Sequence, residues 1–422
     1  MTWLQRYHII NYFKSSIWIL PSLSMIVAMA AVRTLNAIEI KLGWIVEFDP
    51  ATSMTVMGTL AASMFTLIVF VCSALLISVQ LASASLTPRF IGLVFRNPVT
   101  KYSLTLFMFT FTFTLGALLR IRVAVPLITA YVAVYSCVLS LGVFIYLVDE
   151  VGRKLRPSGA MKLTAKLGRD VIRNVYPRLI SEPKEAARVP VIPSGEPERV
   201  ILNRREGVLL AFDIKGLVSL ARQNECVIEL VPQVGDFISA GQPLFRIFCN
   251  GRTPSDFSLY QSIAVGAERT MEQDPGFAFR ILVDIASKGL SPAINDPTTA
   301  VLAIDQIQYL LRHLGSRRLD EGLRLDETGT LRLIYRTPDW EDYVALAVTE
   351  VRQFGGTSIQ IARRLKAMCE NLIQTLPEER AAVLRTELSL IERSTRRNFP
   401  ESEDQAMADV SDFQGVGGKK EK

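Results

Sequence analysis

Met57-Gly-Thr-Leu-Ala-Ala-Ser-Met-Phe-Thr-Leu-Ile-Val-Phe-Val-Cys-Ser-Ala-Leu-Leu-Ile-Ser-Val79 decides the fold of this chain. The run carries no Asp, Glu, Lys or Arg and is apolar around the whole helical circumference, whereas a soluble core helix keeps a polar stripe. About 20 such residues cross the hydrocarbon core of a bilayer. The run sits inside an uncharged stretch at 50–88, too long for one straight span, so the helix is expected at 57–79 with 82–89 as its exit. Thr87 before Pro88 disfavours helix there. Further uncharged stretches lie at 15–32, 102–119 and 123–148. The expected fold class is therefore a membrane protein with four transmembrane α-helices, followed by an α+β soluble domain.

Arg6 and Lys14 precede the first stretch as they would a signal peptide, but no small-residue cleavage site with a polar start follows it, so a retained helix is expected. The third stretch has Phe107, Phe109, Phe111 and Phe113 at alternate positions, a strand-like period. A lone strand cannot satisfy its backbone in lipid, so this run too must be a helix, with some phenylalanines facing lipid. The fourth follows almost at once, giving a tight hairpin with Arg120 and Arg122 at its tip and Pro126 near the start of the returning helix.

Basic residues in the short flanks set the orientation. Arg6 and Lys14, then Arg89, Arg96 and Lys101, then Arg153, Lys154, Arg156 and Lys162 all fall on one side of a four-span arrangement. The other side has Arg33 and Lys41, offset by Glu39, Glu47 and Asp49, and the hairpin arginines. The positive-inside rule then places both termini in the cytoplasm. Residues 1–150 hold nine Lys or Arg against five Asp or Glu, and the whole chain is +6, so the remainder is nearly balanced. That balance argues against nucleic acid as a partner and leaves the basic excess beside the bilayer.

Residues 198–272 alternate in short β-rich runs, Gly207-Val-Leu-Leu-Ala-Phe-Asp213, Val227-Ile-Glu-Leu-Val231 and Pro243-Leu-Phe-Arg-Ile-Phe248, with a helix around 214–224. The turn from Gly235 to Leu244 is similar in spacing to the half-barrel turns of biotinyl and lipoyl carriers. It lacks their modified lysine, so no tethered cofactor is expected. Residues 273–400 read as mainly helical, with one strand at 331–335. The stretch at 151–197 reads as a linker, and 401–422 as a disordered tail. Five cysteines show no metal-ligand spacing, and the two histidines, His8 and His313, are far apart, with His313 expected on an exposed or interfacial helix face.

The densest group of special residues is Gly266-Ala-Glu-Arg269-Thr270, Gln273-Asp274-Pro275, Phe279-Arg280-x-Leu282-Val-Asp284, and Leu290-Ser-Pro-Ala-Ile-Asn295-Asp296-Pro297-Thr298-Thr299. Here, and at Gln80-Leu-Ala-Ser-Ala-Ser-Leu-Thr-Pro-Arg89, the chain resembles the bacterial family of predicted membrane proteins classed as a domain of unknown function. The family tends to have Ser-Pro-Arg where this chain has Thr87-Pro88-Arg89. The resemblance spans nearly the full length and implies a multi-pass protein of the bacterial inner membrane without assigning an activity.

Two readings of the 274–299 cluster stand side by side. Asn295-Asp296-Pro297-Thr298 is a strong helix start, and Arg280 and Asp284, four apart on a helix, can simply pair. Alternatively Arg269, Asp274, Arg280, Asp284, Asn295, Asp296 and Thr298 form one buried polar corner where the β-rich and helical parts meet, binding a small anionic ligand at a helix N-terminus. In the second span Ser63, Thr66, Ser73 and Ser78 fall at helical separations, the pattern of a packing face or a pore lining. Three functions follow in order. The first is a homo-oligomeric channel or permeation protein with a cytoplasmic sensing or gating domain. The second is a membrane-anchored ligand-binding or scaffold protein. An enzyme comes last, since no Walker loop, nucleophile elbow, metal cluster or histidine-based pair is present in the sequence.

Overall fold

A computed structural model describes residues 2–416 except 43–44, 47–48, 91, 93–96, 122–124, 184–191 and 250–251; Arg96, Arg122 and the last six residues therefore lie outside the described residues. The chain divides into two compact units, one of residues 10–160 and one of residues 1–9 with 161–422.

The first unit is a helical bundle. Helix α1 (Trp3–Ser15) enters it, followed by α2 (Ile19–Leu42), α3 (Pro50–Ser85), α4 (Pro98–Leu118) and α5 (Leu127–Leu155). Three helices are long and apolar enough to cross a membrane, at Ile19–Leu42, Pro50–Leu81 and Leu127–Arg153. The fourth expected span, α4, is not among them. Its threonines and Lys101 lower its hydropathy, and it is the helix the other three surround: Phe107, Thr110, Phe113 and Thr114 are fully buried, Thr110 meets the buried Ser140 of α5 at 3.0 Å, and Ser24 of α2 donates to the Thr105 carbonyl at 3.0 Å. The phenylalanine run is helical, as backbone satisfaction in lipid demands.

Two boundaries differ from the sequence reading. α2 continues past Val32 to Leu42, taking Arg33, Glu39 and Lys41 with it, and α3 runs for 36 residues where 57–79 was expected. Both extensions end near partners. The Glu39 carboxylate, buried, accepts from the backbone of Ile128 and from Thr129 N at 3.1 Å and Oγ1 at 2.5 Å, capping the start of α5. Strand β1 (Ile45–Val46) pairs antiparallel with β2 (Val125–Pro126) beside it. At the other end Lys101, also buried, donates to the Phe13 and Lys14 carbonyls that α1 leaves open, at 3.2 and 2.5 Å.

The second unit is mixed α/β. Its first element, α6 (Pro157–Val175), corrects the linker reading of 151–197: Ala160, Met161, Ala165 and Ile172 are buried, and Gly168 lies where a Cβ would come within 2.6 Å of Ala278. Strands β3 (Arg199–Leu202), β4 (Gly207–Phe212), β5 (Cys226–Leu230), β6 (Phe237–Ile238), β7 (Pro243–Cys249), β8 (Ile263–Gly266), β9 (Leu323–Leu325) and β10 (Leu331–Tyr335) make two sheets, ordered β3-β7-β5-β10-β9 and β6-β4-β8. The pair β5/β10 is parallel, with Leu230 beside Tyr335. The core between the sheets joins Leu209, Phe212, Ile228, Phe245, Ile263 and Leu333 with Leu217 of α7 (Ile214–Gln223) and Leu259 of α8 (Asp256–Tyr260). Because β9 and β10 come from the segment read as helical, the divide at residue 272 does not separate two bodies. The turn at 235–244 uses positive φ at Gly235 and Gly241, as its glycines require.

Helices α9 (Pro275–Gly289), α10 (Pro297–Gly315), α11 (Trp340–Phe354), α12 (Ile359–Thr375) and α13 (Glu378–Asn398) form the helical layer, with α9 buried along most of its length. The disordered-tail reading is corrected for residues 401–416. Helix α14 (Ser402–Ala408) packs Ala408 against Ala362 and Phe399, Arg363 Nε donates to the Val410 carbonyl at 3.0 Å, and Gln360 Nε2 to that of Gly415 at 2.6 Å. Polar composition misled there because the segment is held by hydrogen bonds more than by apolar area.

Candidate functional site

The residues singled out in sequence separate into three places. Asp274 caps α9, accepting from Phe277 N at 3.1 Å, and pairs with Arg269. The Arg269 guanidinium lies 5.8 Å from the Phe277 ring and against Gly235, where a Cβ would come within 2.6 Å. Arg269 thus ties the β-rich turn to the start of the helical layer. Burial pushes the Asp274 carboxyl up, while Arg269 and the helix amides pull the other way.

Arg280 sits on α9 and is saturated. It reaches Asp284 from Nε at 2.7 Å and Glu350 of α11 through two parallel bonds of 2.5 and 2.6 Å. These carboxylates push its pKa up and fill the fork that an anion would need. The expected anion site at Arg280 is therefore already occupied by protein carboxylates.

Asp296 caps α10 through Thr299, N at 3.0 Å and Oγ1 at 2.5 Å, and Asn295 adopts the left-handed φ of 48° that lets the chain turn. Thr298 is exposed, and the cap engages its neighbour Thr299 instead. Asp296 N donates to the Gly289 carbonyl at the far end of α9 from Asp274. Fifteen residues of helix, about 22 Å, lie between. The single polar corner expected from the sequence is thus two helix caps and an ion-pair triad.

On α3, Ser63, Thr66 and Ser73 are exposed within the chain, and Thr66 and Ser78 hydroxyls bond back to the carbonyls of Ala62 and Ala74 at 3.0 and 2.7 Å. Ser63 and Thr66 line a groove of about 570 Å³ that also takes Thr59, Phe70 and Cys137 of α5.

The sequence reading missed a cavity of about 800 Å³ in the α/β unit. It lies beyond the carboxyl ends of the parallel pair, walled by Gln233 after β5, by Tyr335, Arg336 and Thr337 at the end of β10, and by the first turn of α11. Ligands of α/β sheets collect at such strand ends. Six carboxylates line it, those of Glu182, Asp320, Glu321, Asp339, Asp342 and Glu379, against three guanidiniums. Asp339 and Asp342 are engaged in the capping box of α11, and Asp320 holds Arg324 and the Tyr335 hydroxyl. Arg318 donates to the Glu182 carbonyl at 2.7 Å, and Arg380 stacks 5.4 Å over Trp340. Glu321 and Glu379 form no ion pair among the described residues, and Glu379 acts on the neighbouring Arg380 through its charge. Burial and Asp320 together push the Tyr335 phenol up, so it stays a donor. The signal available in sequence was only the clustering of acids and arginines after the 331–335 strand.

Long apolar helices with unpaired outward faces, joined to a mixed α/β body, define an integral membrane protein. The chain belongs to the family described as "Predicted membrane protein (DUF2254)", which matches residues 14–371. It is similar to the uncharacterized proteins Mb1321c of Mycobacterium bovis and Rv1290c of Mycobacterium tuberculosis, each 25% identical over 424 residues, covering 96% of this chain and 80% of theirs. No solved structure matches it.

Proposed function

We propose that this is a four-span protein of the bacterial inner membrane, with both termini cytoplasmic, that anchors a ligand-binding α/β unit at the bilayer. The cavity at the carboxyl ends of β5 and β10 carries the reading, as a polar recess of about 800 Å³ beside a parallel strand pair. Its surplus of carboxylates over guanidiniums suits a polar solute bearing an amine better than an anion. The protein is read as a binder, not an enzyme.

Support for the fourth span is geometric. α4 lies beside α2 from Ser24 and Thr105 at one end to Val32 and Gly116 toward the other, which favours its crossing the same bilayer. Its threonines are tolerable because neighbouring helices shield them from lipid.

Thermal unfolding of the detergent-solubilised full chain against amines, amino acids, anions and nucleotides tests the reading. A ligand at 100 times its Kd adds about 2.7 kcal/mol, and Glu379→Ala is expected to weaken an amine's effect. A chain that no amine stabilises would remove this reading.

A second reading, a homo-oligomeric permeation protein, is favoured by one observation: Ser63, Thr66 and Ser73 of α3 are exposed, with Ser63 and Thr66 opening onto the groove shared with α5. Native mass spectrometry with liposome flux separates it from an anchor.

A further inference from the structure

Helix α6 presents Lys162, Lys166, Arg169 and Arg173 at steps of four, three and four, one stripe along a single face. Lys162, Lys166 and Arg173 are exposed and form no ion pair among the described residues. The stripe begins in the second turn of a helix that starts two residues after α5 ends, and it extends about 16 Å from Lys162 to Arg173.

At its far end the stripe meets the last turn of α10. Arg169 Nη1 donates to the Tyr309 hydroxyl at 3.0 Å, and Tyr309 stands one turn before His313 on the same face. Just beyond, the buried Arg317 donates through Nη1 to the Tyr176 and Pro177 carbonyls at 2.7 and 3.1 Å, closing the end of α6. Those bonds explain one side of each arginine. They leave Arg169 Nε, Arg317 Nε and His313 Nε2 buried with no hydrogen-bond partner among the described residues. Arg169 and Arg317 both act on His313 through their charges, and three neighbouring orphaned nitrogens call for a shared acceptor.

The charges acting on His313 are, in order, Arg317, Arg169 and Arg173, opposed by the carboxylate of Asp170; Glu182 acts on Arg317. Asp170 is drawn off by Arg169 Nη2 at 3.4 Å. The balance is cationic. A tetrahedral oxyanion offers several acceptor lone pairs in the arrangement that guanidinium forks recognise.

We propose that Arg169, Arg173, His313 and Arg317 form a site for one phosphate group, carried by an anionic lipid headgroup or free in solution. Lys162 and Lys166 extend the attraction toward the membrane end of the helix. The site is separate from the strand-end cavity and stands without the amine reading.

Burial and the three arginines push the His313 imidazole down to about 4, so it is neutral when the site is empty. A bound phosphate offsets those arginines and raises the pH at which His313 titrates. His8 and His313 are the only histidines, and His8→Gln assigns their signals.

The experiment follows labelled histidine by NMR in the full chain, in nanodiscs of phosphatidylcholine without phosphate, the same with millimolar inorganic phosphate, and nanodiscs containing phosphatidylglycerol. His313 is expected to titrate about one pH unit or more higher in at least one of the last two arms. A rise with inorganic phosphate alone identifies a soluble phosphate, and one with phosphatidylglycerol alone a headgroup. Arg173→Gln, at an exposed position, is expected to reduce the rise, and Lys215→Gln to leave it. An unchanged His313 in both arms, a rise that His8 shares equally, or a rise that Arg173→Gln leaves intact overturns the site.

Discussion

Arg280 bonds to both Asp284 and Glu350, so removing it takes a guanidinium from between two carboxylates. Arg280→Met is expected to cost about 2 kcal/mol, between the values for exposed and buried pairs. Adding Glu350→Leu should restore part of that, and calorimetry of both variants checks the sign. A single variant as stable as the parent would show the triad to be solvent-screened. The partnership with Asp284 was legible from four-residue spacing, whereas Glu350 lies seventy residues away and only packing of α9 on α11 brings it in. The caps Asp274 and Asp296 were legible for the same local reason, each preceding a proline that fits the first helical turn. His313 was read on an exposed or interfacial helix face because two of its arginine neighbours, Arg169 and Arg173, come from a helix that the sequence reading had placed in a linker.

At the level of elements, that helix was obscured by its contact face. α6 buries Ala160, Thr164, Ala165 and Gly168, small residues that carry little hydropathy yet permit close approach to Ala278 and Leu310. Strand β10 was found, but its parallel partner β5 lies across the three helices α8, α9 and α10, and no local pattern announces such a pairing. In the bundle the uncharged stretch at 15–32 marked α2, while its extension through Arg33 depends on where Glu39 finds partners. Glu39→Ala strips the α5 start of its acceptor and is expected to lose about 1–3 kcal/mol, with Glu39→Gln losing less because one carbonyl oxygen remains. Thermal melting of the purified chain in detergent checks the order. Equal melting of parent and Glu39→Ala would mean that water serves the exposed amides as well.

For the whole molecule, the membrane class and the α+β character were legible, because run length and alternation are local properties. The division between the units was not, since the second unit recruits residues 1–9. The tail belongs to that unit as well. Ser411 Oγ donates to Glu370 at 2.5 Å, and Asp412 N to the Arg363 carbonyl at 3.3 Å, alongside the buried Ala408. Truncation after Pro400 is therefore expected to lower stability by about 2 kcal/mol, measured as a lower melting temperature of the second unit's transition. An unchanged transition would show that the segment packs without contributing.

Helix α1 sets an order of events during synthesis. Trp3, Leu4 and Tyr7 pack against Leu210, Ala211 and Ala264 of strands β4 and β8. Those strands leave the ribosome more than 200 residues later, which at about 5–20 residues per second is tens of seconds. Trp3, Leu4 and Tyr7 must therefore wait, apolar side chains uncovered, while the helices of residues 10–160 are made. Their docking is a late step of maturation, and a bulky fusion at the amino terminus should stall it at a stage when the bundle is already complete.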